Sequence, residues 1–345
     1  MVVGGWVKHP GSLGATTTTG GWSTTGSSTY LSWSQACQLS ARPPRSTGQE
    51  TSCSTCKTCR RAENEGVRMY AAEISRSNPT CFVFLIDQSA SMQDQIGGEA
   101  AQRKCDVVAD ALNRLLSELA IKCAKEEGVR DYFYVAVIGY GATVGPALGG
   151  PLAARELVPL SELASSPARL EARTKKVPDG AGGLVDQEVK FPVWVDPVAN
   201  NGTPMSAALT QVQSILSNWL AEHRSCFPPV VLNLTDGEST DGDPNFVGDA
   251  IRQLASTDGN VLLFNLHVSA DAANPIIFPS SATSLPNAFA KSLFNLSSTL
   301  PEGMQTYARL QGMTISEASR GFVFNADMTS IVQFLDIGTR ASDLR

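Results

Sequence analysis

Six apolar residues, from Cys81 to Ile86, run without a polar interruption into Asp87, after which the chain changes abruptly to the small polar loop QSASM. A run this short and this rich in Phe, Val and Ile predicts a central strand of a parallel sheet, covered on both faces. Residues 99–125 then place Ala101, Cys105, Val108, Leu112, Leu115, Leu116 and Leu119 at helical spacing, which predicts an amphipathic helix lying on that sheet. Residues 132–140 form a second strand, with Gly139 and Gly141 marking a bend or close approach at its end. Further strands are predicted at 229–235, 260–268 and 321–324, and helices from Pro204 onward and at 288–300, 304–311 and 328–337. Strands alternating with helices, without internal repeat, predict an α/β fold: a doubly wound, mostly parallel sheet with helices on both faces.

The stretch between 142 and 200 breaks this rhythm. It is expected to be an elaboration covering the sheet edge or the rim, and its best strand, residues 188–195, carries Pro192 and is therefore placed at an edge.

In such sheets ligands bind beyond the carboxyl ends of the strands, where Asp87, Ser89 and Ser91 stand. Taken alone, Asp and Ser after a strand are ordinary turn and cap residues. Two later stretches add oxygen donors at the same end of the sheet: Thr203 in NGTPM, placed at a helix start, and Asp236 in VVLNLTDG, closing another strand. One or two carboxylates and several hydroxyls converging on one point suit a hard divalent cation. Thr203 is also a candidate helix cap before Pro204, and Asp243-Pro244 reads as a cap followed by a helix start.

The combination Asp87-x-Ser89-x-Ser91, Thr203 and Asp236 resembles the metal-ion-dependent adhesion site of von Willebrand factor type A (VWA) domains. The resemblance spans about residues 78–340, and FLIDQSASM, IGYG, TPM, LTDGESTDGDP and FNAD look most like bacterial cytoplasmic members near the tellurite-resistance group. Ala90 departs from the Gly that such proteins often carry, at a position that is not a ligand. The resemblance implies Mg²⁺ or Mn²⁺ bound directly by Ser89, Ser91 and Thr203, with Asp87 and Asp236 acting largely through water. The implied partner is a protein that supplies an Asp or Glu carboxylate to the ion. Relatives are associated with kinases and phosphatases in stress-response operons, which implies a scaffold in phosphorylation signalling rather than an enzyme.

Charge divides the chain unevenly. Of 27 Lys and Arg, seven lie in residues 1–68 against three acids, leaving 20 against 30 acids beyond them. An acidic body without a basic stripe argues against nucleic acid as a partner. No apolar stretch approaches the roughly 20 residues of a membrane helix, and Gly, Thr and Ser interrupt the N-terminus too often for a secretory signal. A cytoplasmic protein with reduced thiols is expected, with no membrane partner. Residues 1–40 hold 21 Gly, Ser and Thr, so a disordered leader over 1–68 is expected. Its Cys53-x-x-Cys56-x-x-Cys59 lacks a fourth ligand at the ferredoxin spacing, where Glu63 stands. Glu65-Gly66 can be encoded by a purine-rich ribosome-binding sequence, so translation is expected to start at Met69, leaving residues 69–345 as a single domain.

Two other function classes are weighed against the binding module. A Mg²⁺-dependent phosphotransfer enzyme of the haloacid-dehalogenase type needs a second Asp two residues after its nucleophile, and Ser89 stands there. Membership of an AAA-type chelatase machine would need an ATPase partner, since this chain has no phosphate-binding Gly-rich loop. His9, His223 and His267 are the only histidines, none in a recognisable triad, and His267 inside an apolar strand reads as structural.

Overall fold

Strand β1 (Thr80–Asp87) is buried along all eight residues, because its alternating side chains feed two separate cores. The computed structural model of the chain describes residues 69–97, 102–178, 183–270 and 273–340; the N-terminal leader and its cysteine motif lie outside them. Phe82, Phe84 and Ile86 pack into one apolar layer with helix α1 (Lys104–Lys122), and Cys81, Val83 and Leu85 into the other. A strand with no polar face can sit only inside a sheet covered twice, as its composition predicts.

Following α1 come β2 (Phe133–Tyr140), the short β3 (Val144–Pro146) and β4 (Val158–Pro159), helix α2 (Leu160–Ser165), and a long ribbon of β5 (Arg169–Pro178) and β6 (Leu184–Val193). Helix α3 (Met205–Glu222), strand β7 (Val230–Thr235), helix α4 (Asn245–Gln253) and strand β8 (Leu262–Val268) complete the middle of the chain. The last part holds β9 (Ile276–Ile277), α5 (Ala288–Leu296), α6 (Glu302–Leu310), β10 (Phe322–Ala326) and α7 (Met328–Gly338). The sheet order is β9-β10-β8-β7-β1-β2-β3, with β4 also on β2. The five central strands are parallel, and the edge strands β9, β3 and β4 are antiparallel. Helices α1, α6 and α7 cover one face, and α3, α4 and α5 the other. This is the doubly wound α/β fold expected from the alternation of strands and helices.

The described part of helix α1 begins at Lys104, later than the periodicity suggested, with residues 98–101 outside the described set. Residues 188–195 were expected at a sheet edge, but they belong largely to β6, which pairs only with β5 in a ribbon separate from the main sheet. Arg173 of the ribbon donates to Asp110 on α1 while its guanidinium stacks 3.7 Å over Phe191, so the ribbon is fastened to the helix rather than to the sheet. Strands β3 and β4, from the same stretch, do line the sheet edge.

Where the ribbon returns to the body, Asn113 of α1 accepts hydrogen bonds from the backbone N–H groups of Trp194 (2.8 Å) and Val195 (3.0 Å) and donates to Val195 O at 2.9 Å. Trp194 donates its indole N–H to Leu163 O at 2.7 Å. Across the other face runs a wholly buried polar chain. Tyr140 donates to Asn233 (2.8 Å), Asn233 to Asn265 (3.0 Å), and Asn265 to Ser297 (3.0 Å). Each link supplies a partner to a group that would otherwise be stranded in an apolar layer. The described cysteines, Cys81, Cys105, Cys123 and Cys226, are buried and unpaired, and burial pushes the Cys123 and Cys226 thiols up to about 11.

Asn113 bonds three buried backbone groups at once. Asn113→Ala is therefore expected to lower unfolding free energy by about 2–4 kcal/mol, measured by urea denaturation; a loss below about 0.5 kcal/mol would contradict this role.

Candidate metal centre

Three strand ends and one helix start meet at the carboxyl edge of the sheet. Asp87, the last residue of β1, is 0% exposed. One of its carboxylate oxygens accepts from the Ser89 backbone N–H at 2.8 Å, and the other from the Thr235 hydroxyl at 2.7 Å. A residue at a strand's carboxyl end would ordinarily face solvent, but parallel pairing of β1 with both β2 and β7 encloses the Asp87 side chain. Burial pushes the Asp87 carboxyl up to about 6, against the lowering effect of the hydrogen bonds from Ser89 and Thr235, with the neighbouring Asp236 adding to the rise. A buried carboxylate of this kind lacks a full counter-charge.

Above it, the Ser89 and Ser91 hydroxyls lie 3.0 Å apart, and both reach one oxygen of Asp236, at 3.4 and 2.8 Å. Ser91 is exposed, so the group opens to solvent on its side. The loop makes a 3₁₀ turn at Ala90–Gln93, with Met92 N bonded to Ser89 O at 3.1 Å, and is also held by its neighbours. Gln88 O accepts from Asn200 N at 2.6 Å, Ala90 N donates to Asn201 O at 2.8 Å, and Gln88 N donates to Tyr140 O at 2.8 Å. Gly141 is required here, because a Cβ on it would stand 2.6 Å from Gln88 O. This is the close approach that the glycines ending the second strand suggested.

Thr203 precedes α3 and is 5% exposed. Its alternative reading, a side-chain cap for that helix, is not what the structure shows. Asp241 takes the part instead, accepting from Ser206 N (3.0 Å) and Ala207 N (2.8 Å). Burial would raise the Asp241 carboxyl, but hydrogen bonds from Ser239, Ala207 and Ser206 hold it below the usual range. Thr203 and Thr240 bind each other reciprocally, Thr203 N to Thr240 Oγ1 at 3.0 Å and Thr240 N to Thr203 O at 2.9 Å. The Thr203 hydroxyl thus makes no hydrogen bond among the described residues, and it faces Gly237 beside Asp236, where a Cβ would stand 3.8 Å away. Four of the five predicted residues are joined by direct hydrogen bonds, and Thr203 reaches them through this rim loop. At α4, Asp243 accepts from Asn245 N at 3.0 Å, in the capping role expected of it.

Two participants escaped the sequence reading. Thr235 looked like one more strand residue. Lys104 was submerged in an amphipathic helix pattern, yet its ammonium donates to the second Asp236 oxygen at 2.9 Å, and a lysine at a helix start is itself an anomaly.

The donor set fits a hard cation. Mg²⁺ with oxygens at about 2.0–2.1 Å has adjacent octahedral ligands about 2.9 Å apart, close to the Ser89–Ser91 separation. Among the described residues no three His, Cys, Asp or Glu side chains cluster as a metal group, so an ion here depends on hydroxyls. The described histidines are packed against rings instead, His267 stacked on Phe324 at 4.4 Å and His223 on Trp219 at 3.6 Å. No helix among the described residues is long and apolar enough to cross a membrane.

No protein-family model matches the chain, and no curated protein matches it. Among solved structures, the vWF domain of the type V pili tip protein Mfa5 from Porphyromonas gingivalis is 15% identical over 47% of this chain and 39% of that one, with a TM-score of 0.26. The PilB minor pilin from Streptococcus sanguinis is 10% identical over 76% and 61%, at a TM-score of 0.37. The pilus adhesin RrgA from Streptococcus pneumoniae is 16% identical over 49% and 22%, at 0.25. The chain spans less than two thirds of the length of each. The strand order and pairing define the fold.

Asp241 satisfies two orphan helix N–H groups. Asp241→Ala is accordingly expected to cost about 1–2 kcal/mol and Asp241→Asn less, read from thermal unfolding; equal loss for both variants would contradict the capping role.

Proposed function

We propose that this chain is a VWA-type binding module, in which Mg²⁺ or Mn²⁺ at Asp87, Ser89, Ser91, Thr203 and Asp236 bridges to a carboxylate of a partner protein. The observation that carries the reading is the convergence of two serine hydroxyls on one Asp236 oxygen above a buried, incompletely balanced Asp87 carboxylate. The topology supports it, since the group stands beyond the carboxyl ends of parallel strands on either side of β1, the usual place for ligands in such sheets. The motif order, with its DxSxS loop, threonine and second aspartate, supports the family assignment.

An ion held here would supply Lewis acidity toward a carboxylate, and Ser91 is the exposed member of the group. The protein's own residues do the rest. Ser89 and Ser91 offer neutral oxygens, so they leave the ion's charge largely unspent. Thr235 and the Ser89 backbone hold Asp87 in place, and the Thr203–Thr240 clasp sets the rim. A partner Asp or Glu would then complete the coordination. A cytoplasmic scaffold in stress or phosphorylation signalling, near the tellurite-resistance group, is the setting we propose from the motif resemblance.

Calorimetry with Mn²⁺ tests the reading. One site per chain is expected in the parent, with binding reduced at least about a hundredfold in Asp87→Ala and in the Ser89→Ala, Ser91→Ala double variant; losing the buried carboxylate that answers the ion's charge, or both hydroxyl ligands, typically removes a few kcal/mol. Parent-like affinity in either variant would reject the assignment. Because Asp87 is buried and bonded to Ser89 and Thr235, Asp87→Ala is also expected to unfold more easily than the parent, so folded protein is to be verified in the same preparation.

A further inference from the structure

Lys104 is out of place by every local rule. It is the first residue of α1, where unpaired N–H groups already make the helix end positive. It is nevertheless buried, with 6% of its side chain exposed, and its preceding residue Arg103 provides no side-chain cap. Removing an ammonium from water at such a point is strongly unfavourable unless a specific partner compensates. That partner is the Asp236 carboxylate, whose side chain is 0% exposed and which lies 2.9 Å from Nζ. Ser91 O at 3.4 Å and the largely exposed Asp94 carboxylate at 3.8 Å are secondary contacts.

The two oxygens of Asp236 divide their work. Oδ1 receives the Ser91 and Ser89 hydroxyls, and Oδ2 receives Lys104. The ammonium therefore binds the other carboxylate oxygen from the one the hydroxyl pair reaches, and does not compete for Oδ1. Counted over the buried side chains alone, Asp87, Asp236 and Lys104 together carry −1, so a divalent ion would leave them at +1, where without Lys104 they would be neutral; Asp94, 3.8 Å from Nζ but largely exposed, is screened by solvent.

We propose that Lys104 is a positioning and specificity-determining residue of the site: it weakens the hold on a divalent cation and in return keeps the loaded site positive, so that it selects an anionic carboxylate as its outer ligand. This rests on the metal-site reading above. It also gives the buried lysine a function that simple orientation of Asp236 does not, because a neutral hydrogen-bond donor would orient the carboxylate equally well.

Three variants of the full chain separate these roles. Lys104→Met removes both charge and hydrogen bond, Lys104→Gln keeps a donor for Asp236 and a foldable buried side chain, and Lys104→Arg keeps the charge. Mn²⁺ affinity is read by calorimetry, and access of a carboxylate by titrating acetate into the Mn²⁺-loaded protein while following water-proton relaxation. Both neutral variants are expected to bind Mn²⁺ about tenfold tighter or more, and acetate roughly fivefold more weakly, as loss of one unit charge a few ångströms away implies. Lys104→Arg should stay close to the parent in both. Weaker or unchanged Mn²⁺ binding in Lys104→Gln, or undiminished acetate binding, overturns the proposal and leaves Lys104 as an orienting contact. Mn²⁺ binding by the parent that survives Asp87→Ala unchanged would instead remove the metal site itself, and this inference with it.

Discussion

Everything at the carboxyl edge of this sheet depends on a carboxylate kept out of water. Asp87 ends a strand that is buried on both faces, and its two oxygens tie three pieces of chain together: the loop beginning at Ser89, the end of β7 at Thr235, and β1 itself. Such a group is costly to bury unless its lone pairs are occupied and its charge is answered. The hydrogen bonds occupy the lone pairs. They do not fully answer the charge, which is why burial still wins and the carboxyl stays above its ordinary range. On the proposed reading, a cation would answer this imbalance.

The surroundings convert that demand into a shaped opening. Asn200 and Asn201, at the end of the elaborated segment and just beyond it, fix both sides of the Gln88–Ala90 backbone, and Asn113 pins the same segment a few residues earlier, at Trp194 and Val195. The segment that breaks the alternation of strands and helices is thus also one wall of the site. On the opposite side Asp241 relieves Thr203 of capping α3, which frees a hydroxyl facing the rim. Beneath the sheet's end, Tyr140, Asn233, Asn265 and Ser297 carry hydrogen bonds from β2 to the end of α5 without a break. A network satisfied at each step resists rearrangement better than an apolar contact of the same size, since any shift strands a buried polar group.

Much of the fold was legible because buried strands such as CFVFLI and VVLNLT carry an unambiguous apolar run, and because α1 and α3 repeat apolar residues at helical spacing. That Asp87, Ser89, Ser91 and Asp236 meet was legible for a different reason, the order and spacing of oxygen donors at strand ends. What the sequence hid follows from the same physics. Residues 188–195 have strand composition, but composition does not say which strand is the partner, and here a cation stacked on Phe191 and bonded to Asp110 draws them into a separate ribbon. Thr203 before Pro204 has the form of a cap, but the helix end took a carboxylate from a loop more than thirty residues away, a competition no local pattern reveals. Lys104 is one more polar residue in an amphipathic repeat until its burial is known.

The central claim is that these oxygens hold a divalent ion, and diffraction from crystals soaked in Mn²⁺ tests it most directly. An anomalous scattering peak within bonding distance of both the Ser89 and Ser91 hydroxyls, about 2.0–2.3 Å away as expected for a small hard cation, is the predicted result. A Mn²⁺ peak elsewhere with none at this position, in crystals that leave Ser91 open to solvent, would contradict it.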